Sequence, residues 1–288
     1  MTVSRAAATA MMALLMTLAV SSPAHAQLAA ANAAGVAMGH LHYRVKDVEA
    51  HTQFWTTLGG RLLKPQGDAA VVGLAGVLVF LSKGDSSGGA DGSVVNHVAF
   101  RVPTFASVEA RGLKVQRLDK FPGVGYTSTP EGERIELFED AAPNLTFTQD
   151  GGPVDPVAAR HNRPVGVPIA FHHMHLYVPE GAVATAKAWY TRMFAGVPGK
   201  RSNYDAVDLP GMNVNISAAP KPAVATQGRM LDHIGLEIAG LEAFCARLRS
   251  MGVAFETPYA RGANGIATAT LVDPWGTTIE LTEGLRGL

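Results

Sequence analysis

Histidine recurs at one position in four short, strand-like segments of this 288-residue chain. The segments are 39–45, 96–102, 172–178 and 232–238, and the repeated residues are His40, His97, His173 and His233. Imidazole binds metal ions and exchanges protons near neutral pH. A lone histidine on an apolar strand is usually structural. Four histidines in matching positions indicate a repeated site.

Two of these segments carry a second histidine. His42 and His175 each lie two residues after the repeated position, and strand alternation places them on the same face as His40 and His173. They are predicted to line a pocket, either as proton carriers or as hydrogen-bonding residues that orient a ligand. His172 alternates to the opposite face and is predicted to be structural.

Each histidine segment is followed by helical spacing and then by short strands. The clearest helix places Leu241, Phe244, Cys245, Leu248 and Met251 on one face. The pattern predicts four β-α-β-β-β units. The other predicted helices are Val48–Leu58, Phe105–Arg111 and Val183–Phe194, and the predicted later strands are Gly76–Ser82, Arg134–Glu139, Met212–Ser217 and Thr277–Thr282.

The units are predicted to pair in sequence order. His40 and His97 are 57 residues apart, and His173 and His233 are 60 residues apart. A stretch rich in glycine and proline separates the two pairs. The predicted domains are therefore 36–149 and 169–285, joined by a linker at 150–168.

The N-terminus has the pattern of a secretory signal peptide. Arg5 precedes an apolar run at 6–20, and Ala24-His25-Ala26 matches a cleavage site before Gln27. We expect residues 1–26 to be removed and the mature chain to be exported, to the periplasm in a Gram-negative bacterium. No membrane association is expected after cleavage.

Charge and cysteine content bear on the expected binding partner and on covalent cross-links. The chain has 24 basic and 24 acidic residues, so it lacks the basic excess typical of nucleic-acid binding. Cys245, its single cysteine, excludes an intrachain disulfide. The expected partner is a small molecule, and a homodimer stays an alternative to a monomer.

The closing segment 271–281 reads L-V-D-P-W-G-T-T-I-E-L. Together with the paired units and their histidine strands, it resembles the vicinal-oxygen-chelate superfamily, over nearly all of the mature chain. That superfamily includes glyoxalase I, extradiol ring-cleaving dioxygenases, fosfomycin-modifying enzymes and metal-free bleomycin-binding proteins. The resemblance implies an α+β fold in which four βαβββ units form two domains with open, curved, antiparallel-rich sheets.

The resemblance also implies metal ligands. The opening strands of a pair supply histidines and the closing strand supplies a glutamate. The matching positions are His40, His97 and Glu136 in the first predicted domain, and His173, His233 and Glu280 in the second. Such a triad leaves coordination positions open for substrate, and Fe2+, Mn2+ or Zn2+ would suit it.

Other positions bear on the reaction type. Glyoxalase I has a second carboxylate ligand, from the closing strand of the other unit of a pair. Here the matching segments have none, since 76–81 contains no carboxylate and 212–216 offers only amides. Asn215 is a candidate for a polar wall of the second site. Tyr126 precedes Glu136 by ten residues, as a substrate-polarising tyrosine does in the extradiol enzymes. The extradiol enzymes also have an acid-base histidine shortly before the second ligand strand. The matching position falls near Ser82, where this chain has no histidine, and this weakens the likeness.

Three functions are compatible with these residues. The first is a metal-dependent dioxygenase, isomerase or lyase acting on a small oxygen-chelating substrate. The second is a non-catalytic binding protein of the same fold, and the third is a glyoxalase-type lyase. One domain could also be catalytic and the other a scaffold.

Overall fold

The structure, a computed structural model, describes residues 28–143, 146–152 and 163–288. The predicted signal peptide and part of the predicted linker lie outside these ranges, so both stay predictions. Within the described ranges, no helix is long and apolar enough to cross a membrane.

Four β-α-β-β-β units account for nearly all described residues, as predicted. The helices are α1 (Val48–Leu58), α2 (Phe105–Glu109), α3 (Val183–Phe194) and α4 (Leu241–Ser250). The strands of units one and two are β1 (Val36–Val45), β2 (Arg61–Gln66), β3 (Ala69–Leu74), β4 (Val77–Lys83), β5 (Val95–Val102), β6 (Gln116–Arg117), β7 (Val124–Ser128) and β8 (Arg134–Glu139). After the short β9 (Phe147–Gln149), units three and four contribute β10 (Ala170–Val178), β11 (Val197–Arg201), β12 (Tyr204–Leu209), β13 (Met212–Ala218), β14 (Leu231–Ile238), β15 (Thr257–Arg261), β16 (Ala267–Val272) and β17 (Thr278–Glu283).

The predicted helices begin where the sequence indicates. Asp47 caps α1 by accepting a hydrogen bond from the backbone of Ala50 at 2.9 Å, and Thr104 caps α2 through Ser107. Helix α2 ends at Glu109, two residues earlier than predicted. Buried side chains of the helices, such as Trp55, pack against the sheets.

Two large mixed sheets contain these strands. The first sheet has the order β15-β16-β17-β14-β1-β4-β3-β2, and the second has the order β6-β7-β8-β5-β10-β13-β12-β11-β9. In each sheet the two histidine strands are central and antiparallel: β1 pairs with β14, and β5 pairs with β10. The predicted α+β class with antiparallel-rich sheets is confirmed.

The pairing of the units differs from the predicted one. The first sheet joins units one and four, and the second sheet joins units two and three. Sequential spacing does not determine the partner, because any two histidine strands of suitable register can pair. Each sheet therefore crosses the predicted boundary between residues 149 and 169, although the position of that boundary along the chain stays a prediction.

One large, contiguous apolar cluster connects the sheets. Buried residues from all four units belong to one contiguous cluster, which includes Trp55, Phe100, Tyr190 and Phe244. Backbone bonds also cross between the sheets, from Met38 N to Pro210 O at 2.8 Å and from Phe171 N to Ala75 O at 2.9 Å. The histidine strands are therefore held at the centre of one packed body.

Candidate metal centres

Strand register gathers the repeated histidines into two clusters. In the first sheet His42 lies opposite His233 and His40 lies opposite Gly235. In the second sheet His175 lies opposite His97 and His173 lies opposite Ala99. The small residues Gly235 and Ala99 leave room for the imidazole that faces them.

The first-sheet cluster consists of His40, His42, His233 and Glu280. Glu280 Oε2 lies 3.1 Å from His40 Nε2 and 3.7 Å from His233 Nε2. One ligand atom from each of the three histidines lies within 4.8 Å of the others. Phe80 stacks on the His40 ring with centroids 4.5 Å apart, so one wall of this cluster is apolar.

The second-sheet cluster consists of His97, His173, His175 and Glu136. Glu136 Oε2 lies 3.3 Å from His97 Nε2 and 3.4 Å from His173 Nε2. The three histidines again offer ligand atoms within 4.8 Å of one another. All four residues are buried.

This arrangement corrects the predicted ligand grouping. His40 was grouped with His97 and Glu136, and His173 with His233 and Glu280. The structure places His40 with His233 and Glu280, and His97 with His173 and Glu136. Every cluster has two histidine strands and one glutamate strand, but each draws them from both halves of the chain.

Tyr126 lies across the sheet from Glu136. Its hydroxyl donates to Glu136 Oε1 at 3.0 Å. Burial raises the pKa of Tyr126, and the nearby Glu136 carboxylate raises it further. The first-sheet cluster has Thr270 at this position, opposite Glu280.

His42 and His175 occupy equivalent positions beside serines. His42 Nε2 lies 2.9 Å from Ser82 Oγ, and His175 Nε2 lies 2.8 Å from Ser217 Oγ. Burial lowers the pKa of His42 to about 3, with a further contribution from His233, and it also lowers the pKa of His175. Both rings are therefore neutral at neutral pH, and low pKa values make them weak proton acceptors.

Contacts among the ligand candidates of the first sheet shift their pKa values in different directions. Burial alone would lower the pKa of His233, but the hydrogen bond to Asp232 and the nearby Glu280 carboxylate outweigh burial and raise this pKa to about 9. Burial opposes ionisation of Glu280, yet contacts with His233 and His40 hold its pKa well below the usual range. The pKa of His40 is lowered by burial.

The donor atoms fit a metal ion. His40 Nε2, His97 Nε2 and His233 Nε2 are buried and lack a partner in hydrogen-bond geometry, although each faces a carboxylate. Buried polar atoms are seldom left without a partner. A divalent cation at each cluster would satisfy these nitrogens and the carboxylate together.

Residues one position before a ligand candidate orient its ring, and the sequence did not single them out. His233 Nδ1 lies 2.8 Å from Asp232 Oδ1, and His97 Nδ1 lies 2.8 Å from Asn96 Oδ1. His172, predicted to be structural, is buried with its Nδ1 2.7 Å from His173 Nδ1. In the sequence, these orienting residues could have been recognised as the Asp or Asn that directly precedes a repeated histidine.

Asn215, a predicted polar wall, lies beside His175 on the neighbouring strand, and Asn213 lies beside His173. The corresponding first-sheet residues are Phe80 and Leu78. The two clusters therefore share their ligand candidates but differ in the walls around them.

Comparison with known proteins identifies the fold. No family model and no curated protein matches the sequence. Among solved structures, glyoxalase I from Zea mays is 14% identical with a TM-score of 0.59, covering 88% of this chain and 94% of that chain. A proposed dioxygenase from Bacillus subtilis is 15% identical with a TM-score of 0.59, covering 90% of this chain and 86% of that chain. The chain has the vicinal-oxygen-chelate fold.

Proposed function

We propose that this chain, with its vicinal-oxygen-chelate fold, is an exported metal-dependent enzyme acting on a small oxygen-chelating substrate. The observation that carries the proposal is the duplicated cluster of three histidines with a glutamate beside them, in which ring nitrogens of His40, His97 and His233 are buried without hydrogen-bond partners. A non-catalytic binding protein would not need these converging donors.

Two ligand sets are proposed. His97, His173 and Glu136 would hold one ion, and His40, His233 and Glu280 would hold the other. A divalent ion such as Fe2+, Mn2+ or Zn2+ supplies Lewis acidity toward substrate oxygens when bound. Asn96 and Asp232 fix the ring orientation of His97 and His233.

The second-sheet cluster is the better candidate for catalysis. Tyr126 presents a hydroxyl at Glu136, and Asn213 and Asn215 place amides along the neighbouring strand. A hydroxyl beside the centre can donate to a substrate oxygen as negative charge develops there. The first-sheet cluster has Thr270, Leu78 and Phe80 at the corresponding positions, so it has fewer polar groups for this task.

His175 and His42 would serve as neutral hydrogen-bonding groups. Their contacts with Ser217 and Ser82 fix the rings, and their lowered pKa values disfavour proton uptake at neutral pH. Between the reaction types, the Tyr126–Glu136 contact favours dioxygenase chemistry over a glyoxalase-type lyase. Export also disfavours a reaction that depends on cytoplasmic glutathione.

The experiment is metal analysis of the mature protein, purified anaerobically without chelator and dialysed at low concentration. We expect up to two divalent ions per chain. His97→Ala should remove about one ion from the second-sheet cluster, and His233→Ala about one from the first, because loss of a ligand weakens binding by tenfold or more. His51→Asn is the matched control, since His51 is buried outside both clusters.

Retention of both ions by His97→Ala and His233→Ala would contradict the ligand assignment. Absence of metal from the unmodified protein, even after incubation with Fe2+, Mn2+ or Zn2+, would contradict metal dependence and favour a binding protein. Export is tested separately by mass spectrometry of the exported chain, which should begin at Gln27.

A further inference from the structure

We propose that the second-sheet cluster binds an anionic chelating substrate, and that Arg134 pairs with a carboxylate of that substrate. This inference rests on the proposed function and names its substrate class. It follows from a comparison of the two clusters, whose ligand candidates match while the charges around them differ.

The first difference lies at the residue that orients a ligand histidine. His233 is oriented by the carboxylate of Asp232, whereas His97 is oriented by the neutral amide of Asn96. In the first-sheet cluster, the ionised carboxylates of Glu280 and Asp232 would together balance the two positive charges of a divalent ion. The same ion in the second-sheet cluster would face Glu136, with the neutral amide of Asn96 in place of a second orienting carboxylate.

The second difference is a guanidinium. Arg134 lies two residues before Glu136 on β8, on the same face of the strand. Its side chain stacks over the Tyr126 ring at 4.6 Å, and its Nη2 donates to Asn96 Oδ1 at 3.1 Å. The corresponding first-sheet residue is Thr278, two residues before Glu280.

Arg134 keeps donors that the described protein groups do not satisfy. Its Nε is buried without a hydrogen-bond partner. The carboxylate of Asp91 accepts from Asn96 Nδ2 at 3.0 Å and is exposed, so solvent screens its charge. A substrate carboxylate is the ligand that a guanidinium fork binds best.

The residues beside the histidines also make the second-sheet cluster more polar than the first. Asn213 and Asn215 lie beside His173 and His175 on the neighbouring strand, where the first sheet has Leu78 and Phe80. The Asn213 amide also donates to the buried Asp208 and accepts from Arg201. Tyr204 lies with its ring centroid 4.7 Å from that of His175 and is 42% exposed, at the outer side of the cluster. These groups suit a planar, oxygen-rich anion better than a neutral apolar molecule.

The probes are 3,4-dihydroxybenzoate and 3,4-dihydroxybenzamide, which have the same vicinal oxygens and shape but differ in charge. Their Kd values are measured by calorimetry on the zinc-loaded mature chain carrying His233→Ala, so that only the second-sheet cluster holds an ion. We expect the benzoate to bind about tenfold more tightly, within the range for a hydrogen bond to a charged group.

Arg134→Leu should bring the two Kd values together while leaving the benzamide Kd and the zinc content unchanged. Arg134→Lys, which keeps the positive charge, should retain part of the preference for the benzoate. It also controls for a folding defect caused by the loss of arginine. Arg44→Leu is the matched control on the first sheet, since Arg44 lies two residues after His42. It should leave the preference intact.

Equal Kd values in the unsubstituted Arg134 protein, or a preference that survives Arg134→Leu, would overturn the inference. So would equal weakening of both probes together with zinc loss, because Arg134 would then act only by holding Asn96. Failure of the proposed metal-dependent function can be told apart from failure of this inference, because the unsubstituted protein would then lose its zinc on dialysis. The two probes can then be compared on the metal-free chain, where the contact with Arg134 does not require an ion.

Discussion

The two clusters contain the same types of candidate ligand, so we expect their neighbouring side chains to account for any difference in activity. Tyr126 is one such neighbour, because it donates to Glu136 in the second-sheet cluster while Thr270 stands opposite Glu280 in the first. A donor of this kind affects the rate more than metal binding, since its interaction strengthens as charge develops on the substrate.

Tyr126→Phe should therefore lower turnover by about 10²-fold and leave the metal content unchanged. Turnover is measured on a substrate found by screening catechols and α-hydroxycarbonyl compounds. Thr270→Val is the matched control in the first-sheet cluster and should leave turnover unchanged. If Tyr126→Phe is fully active while Thr270→Val is impaired, catalysis belongs to the first sheet.

The proton held by His233 gives the first-sheet cluster a pH dependence. The pKa of His233 is raised to about 9 in the metal-free protein, whereas burial lowers the pKa values of His40 and His42. A raised folded-state pKa stabilises the fold fully below the ordinary value near 6.5, and this contribution disappears as pH rises through about 9. An ion that binds His233 must displace the proton.

In a Glu136→Gln variant, which isolates the first-sheet cluster, zinc binding at pH 7.5 should release about one proton per ion. Calorimetry in two buffers of different ionisation enthalpy measures this number. The zinc affinity should rise with pH until about 9 and then level off. Binding without proton release would show that His233 is already neutral or does not bind the ion.

At the scale of elements, close approach of the central strands positions the ligands. A Cβ added to Gly235 would lie 2.0 Å from the His40 ring, so the β1–β14 pair needs glycine there. The second sheet has Ala99 opposite His173. The first sheet therefore requires glycine opposite His40, whereas the second sheet accommodates alanine opposite His173.

Gly235→Ala should displace His40, remove about one metal ion and lower stability by about 1–3 kcal/mol, as overpacking typically does. Metal analysis and thermal unfolding check the two effects. Gly166→Ala is the matched control, because an added Cβ there meets nothing within 4 Å. A Gly235→Ala protein with both ions and unchanged stability would show that His40 moves freely and is not a fixed ligand.

The elements themselves were predictable because local sequence determines them. Helices α1 and α3 have the predicted bounds, and β8 coincides with its predicted strand. The predicted histidines and glutamates do lie together, but in two groups that differ from the predicted ones. Tyr126 was singled out because it precedes Glu136 by ten residues, as in the extradiol enzymes, and in the structure it lies opposite Glu136.

The pairing of units was not predictable in the same way. The strands of units one and three read H-x-H, and those of units two and four have a small residue two positions after the histidine, at Ala99 and Gly235. Sequential pairing and the observed pairing both place an H-x-H strand beside an H-x-small strand. The choice depends on contacts between distant segments, which no local pattern records.

At the scale of the whole molecule, two crossover segments secure the observed pairing. Residues 84–94 leave unit one and residues 219–230 leave unit three, and they run side by side, with Val94 N bonded to Val224 O at 2.9 Å. Arg229 donates to the carbonyls of Gly89 and Asp91. The segment before β1 is joined to the C-terminal segment as well, since Arg286 donates to the carbonyls of Leu28 and Ala29.

These contacts lead to a prediction about the two halves of the chain. Each sheet contains one unit from 28–143 and one from 163–288, and each cluster takes ligands from both. Cutting the chain at a protease site introduced between residues 152 and 163 should therefore leave one particle with both ions. The halves should separate only in denaturant, because separation must break the central β1–β14 and β5–β10 pairs and expose the shared core.

Native mass spectrometry and metal analysis of the cut protein measure the outcome, with the uncut variant as the control. Under sequential pairing, each half would own a complete sheet and a complete ligand set, so the cut fragments could part in buffer with one ion each. Under the observed pairing, an isolated half has His40 without His233 and Glu280, or His173 without His97 and Glu136. Fragments that separate without denaturant and keep their metal would contradict the shared sheets, whereas fragments that lose both ions together on unfolding would support them.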